Sequence, residues 1–391
     1  MRHRTISLLG VAALAGTLGA GFATSASAQV KVGVTVAETG PAASLGIPER
    51  NTIALLPREI GGAKVEYIVL DSGTDTTKAV KNMRKLISDD HVDVVVGPSV
   101  SPSSLAMVDV AGETKTPNIS LAASAKVVEP VEGPRKWVFK TPQSDALMAR
   151  AIADALVKQK AATLGFIGYS DAYGQSYLDE MTKAAEAKGI KMVAAERYAR
   201  TDTSVTGQVL KLLGAHPDAI LIAGSGTPSA LPERELKSRG YKGIIWQSHG
   251  AANEDVLRVC GTDCNGTFLP AGPLLVASQL PADNPIRKEA LEYTHLYEAK
   301  YGPGTVNTFG GHAWDAGQLL IHALPVALKG GAKPGTEQFR AALRDALEGL
   351  HGVVGSQGIF NMSPTNHNGM DDRARVIVEV VDGKWKYRPD L

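Results

Sequence analysis

Short runs of β-branched and aliphatic residues alternate with longer amphipathic stretches along most of the chain. VKVGVTVA from Val30, KVEYIVL from Lys64, VDVVVG from Val92 and PNISL from Pro117 each read as a strand, with helix-length segments between them. After WVFKT at Trp137 the pattern restarts, with TLGFIGY, KMVAAERY, DAILIAG and GIIWQS beginning at Thr163, Lys191, Asp218 and Gly243. The intervening segments 146–160, 173–188 and 229–239 are rich in Ala, Leu, Lys and Glu, which suits helix. Near-continuous apolar strands separated by helices predict parallel sheets covered on both faces. Two such sets predict an α/β chain of two doubly wound parallel-sheet lobes of one design.

The last third breaks the alternation. Segments 284–301, 312–329 and 336–347 read as three helices, and RVIVEVVDGKWKY from Arg375 reads as two strands about Asp382-Gly383. This tail is expected to complete both lobes. Pro/Gly-rich junctions at 140–142, 269–273 and 358–364 mark three crossings, hence a three-stranded hinge. The expected division is an N-terminal lobe of residues 29–141 plus 272–358 and a C-terminal lobe of 142–271 plus 359–391. Ligands of such sheets bind at the C-terminal strand ends, here in the cleft between lobes.

Two of the predicted strand ends carry hydroxyl-bearing turns. In VVVGPSVSPSSLA, Ser101 before Pro102 reads as a helix N-cap with Pro at the first helical position. In PNISLAASAKV, Ser124 stands where another helix or turn would open. A Ser hydroxyl can satisfy a backbone N–H and still donate outward. Two such turns side by side, with free backbone N–H groups, would seat a small anion such as a carboxylate.

The N-terminus changes the compartment. Arg2 and Arg4 precede an apolar Ala/Gly/Leu-rich run over 6–24, and Ala26-Ser27-Ala28 forms a small-residue cleavage site. Residues 1–28 therefore read as a secretory signal peptide, cleaved to leave Gln29 first. No Cys stands near that site, so no lipid anchor is expected, and the exported chain is placed in a bacterial periplasm. The two cysteines, Cys260 and Cys264, would close a small disulfide loop in such an oxidising compartment. With no second Cys pair or nearby His, no metal is expected there.

Charge and motifs narrow the chemistry further. Removing Arg2 and Arg4 leaves 39 basic against 40 acidic residues, a net −1 that gives no support for nucleic-acid binding. There is no G-x-S-x-G elbow, no phosphate loop ending in Gly-Lys-Ser/Thr and no H-E-x-x-H. Gly224-Ser225-Gly226 lacks the third glycine of a dinucleotide fingerprint, so no cofactor is expected. A secreted hydrolase would need a cleft nucleophile and base that no motif supplies, so the chain is not read as an enzyme.

The order of VKVGVTVAETGPAASLG, VVVGPSVSPSSLA, TPNISLAASA, DAYGQSYLDEM and GHAWDAGQLLIHAL resembles the periplasmic leucine/isoleucine/valine-binding family of ABC-transporter solute receptors. That resemblance implies a type-I periplasmic-binding fold closing over one small molecule, acting as a monomer with an ABC permease of the inner membrane as partner. Carried onto this chain, it puts the carboxylate cradle at Ser101, Ala122, Ala123 and Ser124, and a cleft tyrosine at Tyr173. It puts a first-lobe covering loop at Leu45 and Gly46.

The departures bear on the ligand. The acidic residue that pairs with an amino acid's ammonium falls on His249, which is a donor or a cation near neutrality and never an anion. A neighbouring cleft tyrosine falls on Gly226 or Thr227, which is expected to widen the pocket. The ligand implied is a small carboxylate with an apolar or aromatic body: an aromatic or other hydrophobic monocarboxylic or keto acid. Branched-chain or other apolar amino acids are the alternative ligands, and a ligand sensor for a signalling partner is the alternative role. Phe309, His312 and Trp314 open the helix TFGGHAWDAG; His312 could face the cleft or the hinge, and the favoured expectation is that it packs with its polar atoms satisfied.

Overall fold

The computed structural model describes residues 29–391, so the expected signal peptide lies outside the described residues. One sheet is built from β1 (Gln29–Val36), β2 (Glu59–Ile60), β3 (Ala63–Asp71), β4 (Val94–Val96), β5 (Asn118–Ser120) and β6 (Val138–Lys140). Its order is β2-β3-β1-β4-β5-β6, parallel except for the β2/β3 edge pair. The second sheet takes β7 (Thr163–Tyr169), β8 (Lys191–Tyr198), β9 (Ala219–Ala223), β10 (Ile244–Gln247) and β11 (Phe268–Ala271). A small hairpin of β12 (Val353–Val354) and β13 (Ile359–Phe360) intervenes before β14 (Val376–Val381) and β15 (Lys384–Tyr387) add to that sheet antiparallel. The second order is β15-β14-β11-β10-β9-β7-β8.

Among the described residues eleven α-helices cover the sheets: α1 (Ala43–Ile53), α2 (Thr76–Ser88), α3 (Ser101–Thr114), α4 (Asp145–Lys158), α5 (Ala172–Ala187), α6 (Thr206–Gly214), α7 (Ala230–Ser238), α8 (Glu254–Cys260), α9 (Arg287–Tyr301), α10 (Thr308–Lys329) and α11 (Glu337–Glu348). The first sheet buries Val30, Val32, Val34 and Val36 of β1 against Leu319, Leu320 and Leu324 of α10. Its other face packs Val95 on Met83, Leu86 and Met107 of α2 and α3. The second sheet is sandwiched in the same way, around Phe166, Ile220 and Ile222. Strands buried on both faces explain why they read as continuous apolar runs.

The chain passes between the sheets after β6, after β11 and again before β14. Ile359, Phe360 and Met362 are buried in the first core, so the last passage runs between Met362 and Val376. Buried polar groups tie these passages together. Thr141 donates to the His312 carbonyl at 2.9 Å, and Gln143 to the Ala374 carbonyl at 2.9 Å. Among the described residues no helix is long and apolar enough to cross a membrane.

The order of each sheet sets where a ligand can sit. β1 has β3 on one side and β4 on the other, and β7 has β8 and β9, so each sheet reverses its winding beside its first strand. The loops leaving the C-terminal ends there diverge and leave a crevice. The two crevices face each other.

Candidate functional site

The residues just beyond the strand ends meet in one cavity between the lobes. Ser99 and Ser101 follow β4, Leu121 and Ala123 follow β5, and Pro142 follows β6; Tyr173, Arg200, Ser225 and His249 follow β7, β8, β9 and β10. Leu45 at the start of α1 and Phe309 and His312 at the start of α10 complete an apolar side.

Of the residues expected from the sequence, Leu45, Ser101, Ala123, Tyr173 and His249 line the cavity. Ala122, Ser124, Gly226 and Thr227 stand behind or beside it. Ala122 donates its N–H to Ser120 Oγ at 3.1 Å. Ser124 donates its hydroxyl to Ser176 Oγ of α5 at 2.9 Å, and its own oxygen caps Lys126 N–H at 3.3 Å. The Ser124 hydroxyl is thus spent on protein, and one of its bonds crosses from one lobe to the other.

Ser101 is not the helix cap its sequence suggests. It is the first residue of α3, with Val100 at the cap position and no side-chain cap. The reason is that Val100 already has the extended φ of −127° that a cap needs. Ser101 Oγ instead accepts the Ser124 N–H at 3.3 Å and keeps its own proton to donate.

Gly226 does not widen the pocket. Its φ is +66°, and a Cβ there would come within 2.7 Å of Ser44 Oγ and 2.8 Å of Leu45 Cδ1. The missing side chain is replaced by the covering loop of the opposite lobe. Thr227 N–H reaches Ser44 Oγ at 3.4 Å in the same contact. Together with the Lys126–Asp179 ion pair at 2.7 Å, these contacts describe two lobes held closed.

His249 is a buried neutral imidazole and not a cation. Burial, with the charge of Lys140 adding to it, lowers its pKa to about 3. Its ring packs against Tyr173 and Tyr177, with centroids 6.3 and 5.7 Å away, and neither ring nitrogen has a hydrogen-bond partner. Tyr173 is held by donating to Ser248 Oγ at 2.9 Å. His312, expected to be satisfied within the packing, instead faces the cavity with Nδ1 unpartnered, and burial keeps it neutral as well. Unpartnered buried polar atoms are costly and call for a partner.

Charges behind the wall are compensated. Lys140 is fully buried, donates to the Ala123 carbonyl, and is lowered to about 8 by burial against the opposing pull of Asp145. Glu49, behind Ser99, accepts that hydroxyl, and burial raises its pKa well above the carboxylate range.

Arg200 was not singled out from the sequence. It is the second residue after β8, the same offset that Pro142, Ser225 and His249 have from β6, β9 and β10. Counting two residues past each strand end would have found it.

Cys260 and Cys264 are bonded, with Cα atoms 5.7 Å apart. Glu233 lies close enough to join them in a ligand set, but both sulfurs are in the disulfide, and Glu233 accepts from Gln247 at 2.8 Å and from Thr267.

Comparison with known proteins agrees with this architecture. A family model described as periplasmic binding protein matches residues 29–384. A Leu/Ile/Val-binding protein homolog of Brucella melitensis is 24% identical over 92% of this chain and 94% of its own length. An extracellular ligand-binding receptor from Rhodopseudomonas palustris HaA2 is 43% identical, with a TM-score of 0.89 over 92% of this chain and 99% of that one. A solute binding protein of an ABC transporter from Rhodopseudomonas palustris BisB5, solved with 3,4-dihydroxy benzoic acid, shares the fold at 20% identity. Its TM-score is 0.76 over 92% of this chain and 95% of that one.

Proposed function

This chain belongs to the periplasmic binding protein family, of the type-I, Leu/Ile/Val-binding kind, and on that premise we propose that it captures a small aromatic or other hydrophobic monocarboxylic or keto acid by lobe closure. Members of the family are non-enzymatic ligand-binding components of ABC transporters, working in the periplasm with a membrane permease. We place this chain there after removal of residues 1–28, without a lipid anchor, delivering its ligand to such a permease.

One observation carries the choice of ligand. Among the described residues no Asp or Glu lines the cavity, and the position that the resemblance assigns to the ammonium's acidic partner holds a neutral His249. An α-ammonium group there would be a buried charge without a partner, which costs several kcal/mol. A carboxylate has donors instead: the Ser101 hydroxyl, with Ala123 beside it. Each hydrogen bond to a charged group contributes roughly 1.5–3 kcal/mol. Leu45, Leu121 and Phe309 supply the apolar wall for the body of the acid.

A branched-chain amino acid is the second reading. The printed name of the Brucella relative favours it, as does the same apolar wall. The 3,4-dihydroxy benzoic acid bound by the Rhodopseudomonas palustris BisB5 protein, which shares this fold, supports the first.

Mass spectrometry of small molecules released by denaturing the purified protein identifies the ligand directly. A thermal-shift panel then discriminates the readings. A ligand at a hundred times its Kd adds about 2.7 kcal/mol of stability. Stabilisation by leucine or valine, with none by any aromatic or keto acid, would sink the proposal.

A further inference from the structure

We infer that Arg200 and Ser225 form a second oxygen seat in the cavity, so that the ligand is an aromatic acid carrying an oxygen substituent at the end away from its carboxylate. This rests on the aromatic-acid reading above and specifies its substrate class.

The guanidinium of Arg200 is nearly buried, with 12% of its side chain exposed, and lies 4.1 Å over the ring of Tyr169. Its Nε donates to Asp171 Oδ2 at 2.7 Å and Nη1 to Ser225 Oγ at 2.8 Å. Arg offers five N–H groups, so these two bonds leave others to be satisfied beside the cavity. The carboxylate of Asp171 is also shared. It caps α5, accepting Tyr173 N–H at 2.9 Å and Gly174 N–H at 3.2 Å. Asp171 thus pairs with Arg200 through Oδ2 while its Oδ1 caps α5, and the guanidinium N–H groups beyond these two bonds are what the seat offers a ligand.

Ser225 reinforces the seat. Its carbonyl accepts the Tyr169 hydroxyl at 2.7 Å, which anchors the main chain. Its Oγ accepts from Arg200, which leaves the Ser225 proton free to be donated. Both residues line the same cavity as Ser101 and Ala123. The cavity thus has donors from both lobes with Leu45, Leu121 and Phe309 on the same walls.

Isothermal titration of 3-phenylpropanoate, its 4-hydroxy analogue and its 4-carboxy analogue against the wild type, Arg200→Met and Ser225→Ala tests the inference. The wild type is expected to bind a 4-oxygenated acid at least tenfold more tightly than the unsubstituted one, and the preferred analogue shows whether the oxygen is a phenol or a second carboxylate. Both variants are expected to weaken the 4-oxygenated acid at least tenfold more than the unsubstituted one, and so to erase that preference. Ser225→Ala carries the test if Arg200→Met does not fold. No preference in the wild type, or equal losses for all three acids in the variants, would overturn the seat. Equal losses would put the carboxylate itself on Arg200. Failure of the wild type to bind any of the three would instead remove the aromatic-acid reading, and this inference with it.

Discussion

Ser124, in the turn after β5, donates its hydroxyl to Ser176 on α5 of the opposite lobe, and the two oxygens lie 2.9 Å apart in a fully buried setting. This bond exists only while the lobes are together, so it favours the closed state over any open one. A contact that differs between two states shifts their balance by its own free energy.

Ser176→Ala should therefore weaken ligand binding while leaving the fold intact. Closure would bury the Ser124 hydroxyl proton without an acceptor, which costs about 1–3 kcal/mol, or roughly 5- to 150-fold in Kd. The double variant Ser124→Ala/Ser176→Ala removes both partners and is expected to recover part of that loss. Calorimetric titration of the three proteins checks the order; a double variant weaker than the single one would contradict it.

Gly226→Ala should obstruct closure directly. The added Cβ would meet Ser44 and Leu45 of the other lobe at under 3 Å, and the φ of +66° strains any L side chain. Binding is expected to fall at least tenfold, with a stability loss of about 1 kcal/mol from the backbone alone. Titration and thermal melting of the ligand-free protein separate the two effects.

His249 gives a pH dependence with a definite sign. In the unfolded chain its pKa is near 6.5, and in the folded protein it is lowered to about 3. Between these values the unfolded state holds the extra proton, so stability is lost as pH falls from 6.5 toward 3. The slope from this one group is at most about 1.4 kcal/mol per pH unit. Denaturant melts at pH 7 and pH 5 should show wild type losing up to about 2 kcal/mol more than His249→Phe between those pH values, because the variant lacks this term.

His249→Glu should redirect specificity. It supplies an acidic group at the position that an α-ammonium would face, while adding repulsion toward a second anion. The variant is expected to gain thermal stabilisation from leucine or another apolar amino acid and to lose affinity for acids lacking an amino group. Unchanged selectivity would place His249 away from the ligand.

Much of the site was legible because parallel α/β sheets place their functional loops at strand ends. The apolar runs located β4, β5, β7 and β10, and the family resemblance picked out Ser101, Ala123, Tyr173 and His249 beyond their ends. The roles were harder to read than the positions. Ser101 looked like a cap because Ser-Pro is a capping signal, yet Val100 takes the cap position and frees the hydroxyl. His312 looked like a packing residue because its neighbours are apolar, yet its ring faces the cavity. Arg200 carried no motif at all.

The sequence by itself determined the two-lobe α/β architecture, since strand and helix periodicities are local properties of the chain. It also located five residues that line the cavity, because each is tied to a recognisable segment. Only the tertiary structure decided the state of those groups. Burial, a property of everything packed around a side chain, makes His249 neutral. Contact between residues 182 positions apart, Ser44 and Gly226, turns an expected widening into a close approach of the lobes. The charge of Arg200 became relevant when folding put Asp171, Ser225 and the cavity around one guanidinium, a juxtaposition that no local pattern encodes.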